Sequence, residues 1–410
     1  MQAGATDWLE LDVLIFGGGV AGLWLLDELR RRGYAVLLLE NAALGSAQTV
    51  ASQGIIHGGL KYMFDGRLTP AASAIREMPV IWRECLSGRR QPDLSQVKVL
   101  SDCCYIWGTA SLKSRLFVRG SAWALRAAPQ PVPPEKRPSV LAGAPGTVLF
   151  VPEQVIDCVS LARSFAGRNS GWIAPIDSAM PPRFRRDETG RIAEVAISAA
   201  GRALRISARR IVFAAGEGNE RLRALAGLSP GAMQRRPLHM LMVRGDLPVL
   251  FGHCVGGLKP RITVTTAGDR AGRRVWLVGG QIAENGVAMS AQQLVAFAAA
   301  ELPACVPGLD LRGAEMATYR IDRAEAANPA GQRPDDVQTL VDANVITAWP
   351  TKLALAPRLA ERVLEALAPP GGDGRPTWSG PSPPAAVPPW ESVSQWFDAT
   401  SAEPVCRPAS

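Results

Sequence analysis

The sequence lacks several features that would assign it to a specialised class of protein. It has no CxxC pair among its seven cysteines and only three histidines in 410 residues, so neither a disulfide framework nor a zinc site is indicated. The first ten residues lack the basic and then apolar pattern of a signal peptide. The most apolar early stretch, residues 13–26, is too short to span a bilayer. We therefore expect a cytoplasmic protein with reduced thiols.

The charge pattern also lacks a strong bias. The formal charge is +8 and the pI is about 9.4, which is compatible with an anionic partner. However, the arginines are spread along the chain, and no run of five like charges and no nucleic-acid recognition motif is present. We expect no binding to nucleic acid, and the sequence leaves a peripheral contact with a membrane open.

Residues 12–40 have the pattern of a dinucleotide-binding unit. A buried strand leads to Gly17-x-Gly19-x-x-Gly22, an amphipathic helix follows, and a second strand ends in Glu40. Gly17 permits the tight turn, Gly19 lets the backbone approach a pyrophosphate, and Gly22 lets the helix pack against the strand. The helix N-terminus attracts phosphates. Because Glu40 can accept hydrogen bonds from ribose hydroxyls and disfavours a 2′-phosphate, FAD or NAD is expected rather than NADP.

The stretch QTVASQGIIHGGLKY, residues 48–62, distinguishes FAD from NAD. It resembles a loop of the FAD-dependent oxidoreductases of the D-amino acid oxidase and glycerol-3-phosphate dehydrogenase type, and it is similar without gaps to the loop of 2-hydroxyglutarate oxidases and dehydrogenases. In that family the flavin ring lies against the backbone of this loop, which accounts for the glycines. The matching positions are Gln48, Thr49, Gly54, Ile56, His57, Gly59 and Tyr62, whereas residues 50–53 depart from the usual order.

The resemblance implies an FAD-dependent oxidase or dehydrogenase. A hydride from the substrate carbon would pass to flavin N5, while His57 takes the O–H or N–H proton or orients the substrate. A structural histidine that donates to a backbone carbonyl is the alternative. The substrate would be a 2-hydroxy acid, an amino acid or other amine, or a polyol phosphate, and the basic charge is compatible with an anionic one. The electron acceptor would be oxygen or a quinone. Non-covalent FAD is expected, because Ala51 stands where relatives attach the flavin through a histidine.

Two further stretches resemble cofactor-binding turns of this family. Ala214-Ala215-Gly216 corresponds to a turn beside the FAD phosphates, with an ordinary strand-to-helix turn as the alternative. Residues 350–353 correspond to a glycine-lysine-leucine loop whose N–H groups and lysine would stabilise the anionic reduced flavin, with Pro350 and Thr351 at positions where glycines are usual. The expected cofactor-binding residues are Gly17, Gly19, Val20, Ala21, Gly22, Glu40, Asn41, Gln48, Ser52, Gln53, Gly54, Ile55, Ala214, Ala215, Gly216, Thr351, Lys352 and Leu353.

The segment TYRIDRAEAANP, residues 318–329, is expected to supply an arginine for the substrate. Family members hold a substrate carboxylate with an arginine in about this place, because a guanidinium offers a planar bidentate fork. Arg320 matches best and Arg323 second, and a salt bridge to Asp322 or Glu325 is the alternative for each. His253 is a further candidate near the active site, and no metal site is expected.

The resemblance implies an α/β fold with a Rossmann-like FAD-binding domain of the glutathione-reductase type and an antiparallel-sheet substrate domain. The C-terminal tail is proline-rich, a composition typical of disorder, but its tryptophans indicate that part of it packs. We expect residues 1–66, 149–225 and 335–368 in the FAD-binding domain, 67–148 and 226–334 in the substrate domain, and 369–410 in the tail.

Two other functions stay open at this point. A flavin monooxygenase of the related hydroxylase fold would carry a glycine-aspartate motif near the C-terminal flavin loop, where this chain reads AWPTKLALAP. A non-catalytic FAD-binding protein would also keep the glycine fingerprint, since that motif reports the cofactor and not the chemistry.

Overall fold

The computed structural model describes residues 7–58, 70–109, 129–257, 259–328, 331–371, 374 and 378–402. Gly59 and Tyr62, two of the matching positions in the flavin loop, lie outside these residues. The strands in the described part are β1 (Asp7–Phe16), β2 (Val36–Glu40), β3 (Val99–Ser101), β4 (Cys104–Gly108), β5 (Gln130–Val132), β6 (Val148–Val151), β7 (Val155–Ile156), β8 (Ile173–Pro175), β9 (Arg183–Arg186), β10 (Ile192–Ala199), β11 (Arg202–Phe213), β12 (Met233–Gly245), β13 (Gly252–Val255), β14 (Pro260–Gly268), β15 (Arg274–Gly279), β16 (Glu315–Ala326), β17 (Gln338–Asp342), β18 (Val345–Trp349) and β19 (Phe397–Asp398).

Helices are interspersed among these strands along the described part of the chain. The α-helices are α1 (Val20–Arg31), α2 (Pro70–Leu86), α3 (Cys158–Arg168), α4 (Gly218–Leu225), α5 (Gln281–Asn285), α6 (Ala291–Cys305), α7 (Ala356–Leu364) and α8 (Pro389–Ser392).

The first sheet has a parallel centre. Its main path runs β17-β18-β11-β1-β2-β8, and β10 and β9 extend from β11 as an antiparallel meander. β1 pairs in parallel with both β2 and β11. All of β2 and the last six residues of β1 are buried, as expected for apolar parallel strands that are covered on both faces. The carboxyl ends of these strands therefore meet at one edge of the sheet, where ligands bind in open α/β folds.

Helix α1 packs in the hydrophobic core beside the first sheet. It packs between α3 and α7, and the ring of Trp24 lies 4.8 Å from that of Trp82 in α2. The helix ends at Arg31, and Gly33 follows with a φ of +82°, a conformation in which glycine carries no steric penalty. The predicted strand-helix-strand unit is therefore confirmed. From the end of β1 to the end of β2, its boundaries lie within a few residues of those expected.

Within the described residues the second sheet has nine strands, in the order β19-β16-β12-β15-β14-β13-β4-β6-β5. Its pairs are antiparallel except for β13 with β4. The expected α/β architecture with an antiparallel second sheet is confirmed. Strand β6, whose residues 149–151 were expected in the FAD-binding domain, pairs with β4 and β5 in this sheet.

Part of the C-terminal tail packs against both sheets, as its aromatic residues indicated. Trp378 is 5% exposed and joins the core under the meander. Further on, Ala385 forms a β-bridge with Leu44, and β19 pairs with β16 at the edge of the second sheet. The tail residues 378–402 therefore cross from the first sheet to the second.

The described part of the chain offers no helix with both the length and the apolar character needed to cross a bilayer. Its six described cysteines are free thiols, five of them buried.

Candidate active site

A cavity of about 600 Å³ opens at the carboxyl edge of the first sheet and is roofed by the second sheet. Its size falls within the roughly 300–1,000 Å³ that is usual for small-molecule and cofactor sites. The walls come from the β1–α1 turn, the end of β2, residues 46–57, the turn after β11 and the loop after β18, with β12 and β16 opposite them. The elements that the sequence analysis associated with a dinucleotide thus surround one cavity.

The glycine turn between β1 and α1 leaves room only in the direction of the cavity. A Cβ on Gly17 would lie 2.5 Å from Cα of Ala215, and one on Gly22 would lie 1.9 Å from the carbonyl oxygen of Gly17. A Cβ on Gly19, by contrast, would meet only Thr49 Oγ1, at 3.4 Å. Gly19 is the N-cap of α1 and has no side chain to cap the helix, and Thr49 Oγ1 accepts the backbone N–H of Val20 at 3.1 Å. The helix N-terminus therefore faces the cavity and suits a pyrophosphate.

Glu40 organises the adjacent wall. One carboxylate oxygen accepts the backbone N–H of Gly18 at 2.6 Å, and the other accepts those of Asn41 and Ala42 at 2.9 Å. Burial raises the pKa of the Glu40 carboxyl, and the three N–H groups oppose that effect. Because a carboxylate has about four acceptor positions, one position remains for a ribose hydroxyl.

The loop 48–57 presents backbone to the cavity for a steric reason. A Cβ on Gly54 would lie 2.1 Å from the carbonyl oxygen of Ile156, and its φ is +69°, so only glycine suits this position. Gln53 lines the cavity, but its amide nitrogen is engaged by the carbonyls of Thr263 and Leu277 at 2.8 and 2.9 Å. Gln53 therefore also ties the loop to the second sheet.

Two polar groups at and just after the end of β18 are buried in the cavity wall. The indole N–H of Trp349, the last residue of β18, and the hydroxyl of Thr351 in the following loop have no hydrogen-bond partner among the described residues, and both residues line the cavity. Thr351 has a φ of +59°, which accounts for the glycines that relatives carry at this loop. Buried polar groups are rarely left unpaired, so this end of the cavity also fits a polar ligand.

The candidate catalytic residues His57 and His253 lie together. His57 lines the cavity with its side chain 41% exposed, and its Nδ1 lies 3.3 Å from a carboxylate oxygen of Glu153. The ring of His253 lies 5.7 Å from that of His57, behind the cavity lining. Burial lowers the pKa of His253 to about 4, so this histidine is neutral near neutral pH.

Glu153 is the residue at this site that the sequence analysis missed. It lies in the turn between β6 and β7 and is 3% exposed. The available signal was an acid within a largely apolar segment, because acidic residues are seldom buried unless they are paired. One atom of each of Glu153, His57 and His253 that could coordinate a metal lies within 4.8 Å of the other two. The three residues are close enough to share a cation, although Glu153 already has partners within the protein.

The two candidate arginines lie on opposite faces of β16. Arg323 lines the cavity, whereas Arg320 does not, and the guanidinium of Arg320 donates to the carbonyls of Val287 and Met289 at 2.9 and 2.6 Å. The structure thus places Arg323, the second choice of the sequence analysis, beside the cavity and Arg320, the first choice, away from it. Arg333, which the sequence analysis did not single out, also lines the cavity.

Of the expected cofactor-binding residues, all except Gly22 contribute to the cavity lining, and Gly22 packs behind the turn. The lining members are Gly17, Gly19, Val20, Ala21, Glu40, Asn41, Gln48, Ser52, Gln53, Gly54, Ile55, Ala214, Ala215, Gly216, Thr351, Lys352 and Leu353.

Comparison with known proteins gives matches along most of the chain. The family model described as FAD dependent oxidoreductase, DAO, matches residues 12–280. A probable FAD-dependent oxidoreductase of Pseudomonas aeruginosa is 42% identical over 394 residues, which covers 93% of this chain and 98% of that protein. The crystal structure of an FAD dependent oxidoreductase from Pseudomonas aeruginosa has a TM-score of 0.80 at 38% identity, and the match covers 94% of this chain and 99% of that one.

More distant structures share the fold. The glycine oxidase of Geobacillus kaustophilus has a TM-score of 0.62 at 18% identity, over 87% of this chain and 94% of that one. The L-alpha-glycerophosphate oxidase of Mycoplasma pneumoniae, solved with FAD bound, has a TM-score of 0.60 at 16% identity, over 89% and 98%. These matches do not favour a monooxygenase or a non-catalytic protein, and the similarity of the flavin loop to 2-hydroxyglutarate oxidases stays a prediction.

The family model covers more than half of the chain, and the Pseudomonas relative is similar along nearly its whole length. The chain therefore belongs to the DAO family of FAD-dependent oxidoreductases and is an enzyme that uses FAD.

Proposed function

We propose that this enzyme oxidises a small anionic substrate at a carbon that bears a hydroxyl or amino group. The candidates are a 2-hydroxy acid, an amino acid or other amine, and a polyol phosphate. The observation that carries the proposal is that His57 and Arg323 line the same cavity as the glycine turn. FAD, when bound, supplies a two-electron acceptor for the hydride of the substrate.

His57 is the group in this cavity that is best suited to take the substrate proton. It is exposed to the cavity and its other face is held by Glu153. A neutral imidazole has one acceptor nitrogen, which can take a proton from a hydroxyl or ammonium group. His253 cannot reach the cavity directly, and we assign it a supporting role.

Arg323 is the group best suited to hold the anionic part of the substrate. Its nearest described partner is a carboxylate oxygen of Glu284 at 3.6 Å. Burial lowers the pKa of the Arg323 guanidinium to about 10, with a further contribution from the nearby Arg333 and Arg236. The group is still charged at neutral pH, and a substrate carboxylate or phosphate would give it hydrogen bonds that Glu284 does not.

The cofactor would be held without a covalent bond by the lining residues named above. The N-terminus of α1 would take the pyrophosphate, Glu40 the ribose, and the loop 48–55 the flavin ring, while Lys352 and the backbone around it would offset negative charge on the ring. The domain division expected from the sequence stays part of this proposal, with β6 moved to the substrate domain.

Oxygen or a quinone would remove the electrons in the second half of the reaction. We place the enzyme in the cytoplasm, an assignment supported by the free thiols of the described cysteines.

Anaerobic visible spectroscopy tests this function directly. The purified protein, loaded with FAD, would be mixed with hydroxy acids, amino acids and glycerol phosphate, each paired with its neutral analogue. We expect one anionic member to bleach the flavin bands and its neutral analogue to fail. Bleaching by neutral compounds alone would contradict the anionic class, and failure to bind FAD would contradict the site. Readmission of air, or addition of a quinone analogue, would identify the acceptor.

A further inference from the structure

The Glu153 carboxylate is buried, charged and aimed at one nitrogen of His57. Its side chain is 4% exposed. One oxygen accepts the backbone N–H of Gly58 at 2.6 Å, and the other faces His57 Nδ1 at 3.3 Å. Burial alone would raise the pKa of Glu153, but the contacts with His57, His253 and Gly58 outweigh burial and lower it. Glu153 is therefore a carboxylate at neutral pH.

This arrangement defines where the proton of a neutral His57 lies. A carboxylate can only accept hydrogen bonds, so the Nδ1 atom that faces it must carry the hydrogen. A neutral imidazole has one N–H and one acceptor nitrogen, so Nε2 becomes the acceptor. His57 lines the cavity, and Nε2 is the ring nitrogen left for a substrate proton.

The titratable groups described around His57 and Glu153 do not replace Glu153 as the charge that balances a protonated His57. His253 is held neutral by burial, and its Nδ1 lies 2.9 Å from Thr263 Oγ1. The thiol of Cys104 is also near Glu153, and its pKa is raised mainly by burial. When His57 takes up a proton, the charge it gains is therefore balanced by Glu153 alone among the titratable groups described around it.

We propose that Glu153 is a positioning residue that holds His57 with Nδ1 protonated and Nε2 ready to accept a proton from the substrate. The tautomer assignment stands on the hydrogen bonds alone, and only its catalytic consequence rests on the proposed function.

The low number of histidines makes the tautomer measurable. With only three histidines in the chain, ¹⁵N-histidine NMR gives three imidazole spin systems, which His239→Gln and His253→Gln variants would assign. In the wild-type FAD-loaded enzyme we expect His57 with a protonated Nδ1 and an unprotonated Nε2. A wild-type His57 protonated on Nε2 would overturn the proposal, and this measurement needs no variant of Glu153.

Glu153→Gln tests the cause. The contact with the Gly58 N–H is the shorter of the two, so we expect the amide oxygen of the new glutamine to stay there. The amide NH₂ would then face His57 Nδ1. Because an NH₂ group donates, Nδ1 would become an acceptor and the proton would move to Nε2. Glu153→Asp keeps a carboxylate and should keep the wild-type tautomer. Glu194→Gln, which removes a carboxylate paired with Arg205 outside the cavity lining, is the matched control and should change nothing. An unchanged tautomer in Glu153→Gln would also overturn the proposal.

A second readout separates this proposal from the proposed function. Glu153→Gln should retain FAD and slow anaerobic flavin reduction by roughly 10²–10⁴-fold, the contribution usual for general base catalysis, with most of the loss in the rate of reduction and little in substrate affinity. A switched tautomer with unchanged reduction would support Glu153 as the positioning residue and remove His57 as the base. Tight, stoichiometric binding of Zn²⁺ to the wild-type enzyme, with activity that a chelator abolishes and Zn²⁺ restores, would replace the hydrogen-bonded pair by a metal centre and overturn the proposal.

Discussion

Nδ1 of His57 lies 3.3 Å from a carboxylate oxygen of Glu153, a residue 96 positions further along the chain. The flavin loop supplies the first group, and the turn between β6 and β7 supplies the second. An isolated β-bridge between Ile55 and Val155 aligns the two segments. The site therefore depends on a register between two short segments that are remote in sequence.

Gly19→Glu should abolish FAD binding while the protein still folds. Gly19 lines the cavity and the nearest atom to a Cβ there is Thr49 Oγ1 at 3.4 Å, so the new carboxylate would extend into the space proposed for the pyrophosphate and repel its charge. The flavin-to-protein absorbance ratio after gel filtration measures the effect. Gly167→Glu, on an exposed position of α3 with open space around it, is the control and should bind FAD normally. Stoichiometric flavin in Gly19→Glu would disprove the site assignment.

His57→Ala should keep FAD and slow its reduction by roughly 10²–10⁴-fold, because the proton acceptor is lost while the backbone of the loop is unchanged. Stopped-flow absorbance with the substrate found in the panel gives the rate. Added imidazole should restore part of it, since the truncation leaves space for a free base. An unaltered rate would make His57 structural.

Arg323→Met should raise KM for the anionic substrate by roughly 10- to 100-fold with a smaller effect on kcat, because a charged hydrogen bond contributes about 1.5–3 kcal/mol. Arg320→Met is a matched control three residues away on the opposite face of β16, and we expect its KM to be that of the wild type. If Arg320→Met raised KM and Arg323→Met did not, the original sequence-based preference would be restored.

The stability of the fold should fall in mild acid because of His253. Burial holds the pKa of this histidine at about 4, below its usual 6.5. Above pH 6.5 His253 is neutral in both the folded and the unfolded chain, and the free energy of unfolding keeps its full value. As the pH falls towards 4, the unfolded chain takes up the proton first, and the free energy of unfolding falls by roughly 3 kcal/mol. Urea unfolding at pH 7 and pH 4.5 measures this loss, which should be smaller by about 2–3 kcal/mol in His253→Gln. Equal losses in both proteins would show that His253 is not held neutral.

Thr351→Gly should affect stability and cofactor binding in opposite directions. Its φ of +59° costs a non-glycine residue about 1–2 kcal/mol, part of which glycine recovers, so the FAD-free protein should gain up to about 1 kcal/mol. FAD affinity should fall, because the substitution removes a buried hydroxyl that has no hydrogen-bond partner among the described residues and could bind the cofactor. Ala343→Gly, at φ +52° outside the cavity lining, should give the same gain with unchanged affinity. Urea unfolding and FAD titration would decide, and unchanged affinity in Thr351→Gly would mean that this hydroxyl does not bind the cofactor.

The cofactor side of the site could be predicted from the sequence because its information is local. Gly17, Gly19, Gly22 and Glu40 lie within one strand-helix-strand unit, and each is required by a steric or hydrogen-bonding constraint of that unit. The same holds for Gly54, whose φ and close contact with the backbone of Ile156 exclude any side chain. The α/β fold with a second, largely antiparallel sheet was implied by the resemblance of these motifs to a known family.

The substrate side was decided by the tertiary structure. In β16 successive side chains point to opposite faces, so Arg320 and Arg323 face opposite ways, and the sequence could not show which one faces the cavity. That choice depends on the pairing of β16 with β12, where Arg323 is opposite Arg236 and Arg320 is opposite His239. The role of Glu153 was hidden for a related reason: a buried carboxylate needs a partner, and only the folded chain brings His57 and the Gly58 N–H to it across 96 positions. Local constraints thus determined the glycine turn and the loop that line one side of the cavity, and long-range strand register decided which side chains face the cavity from the other side.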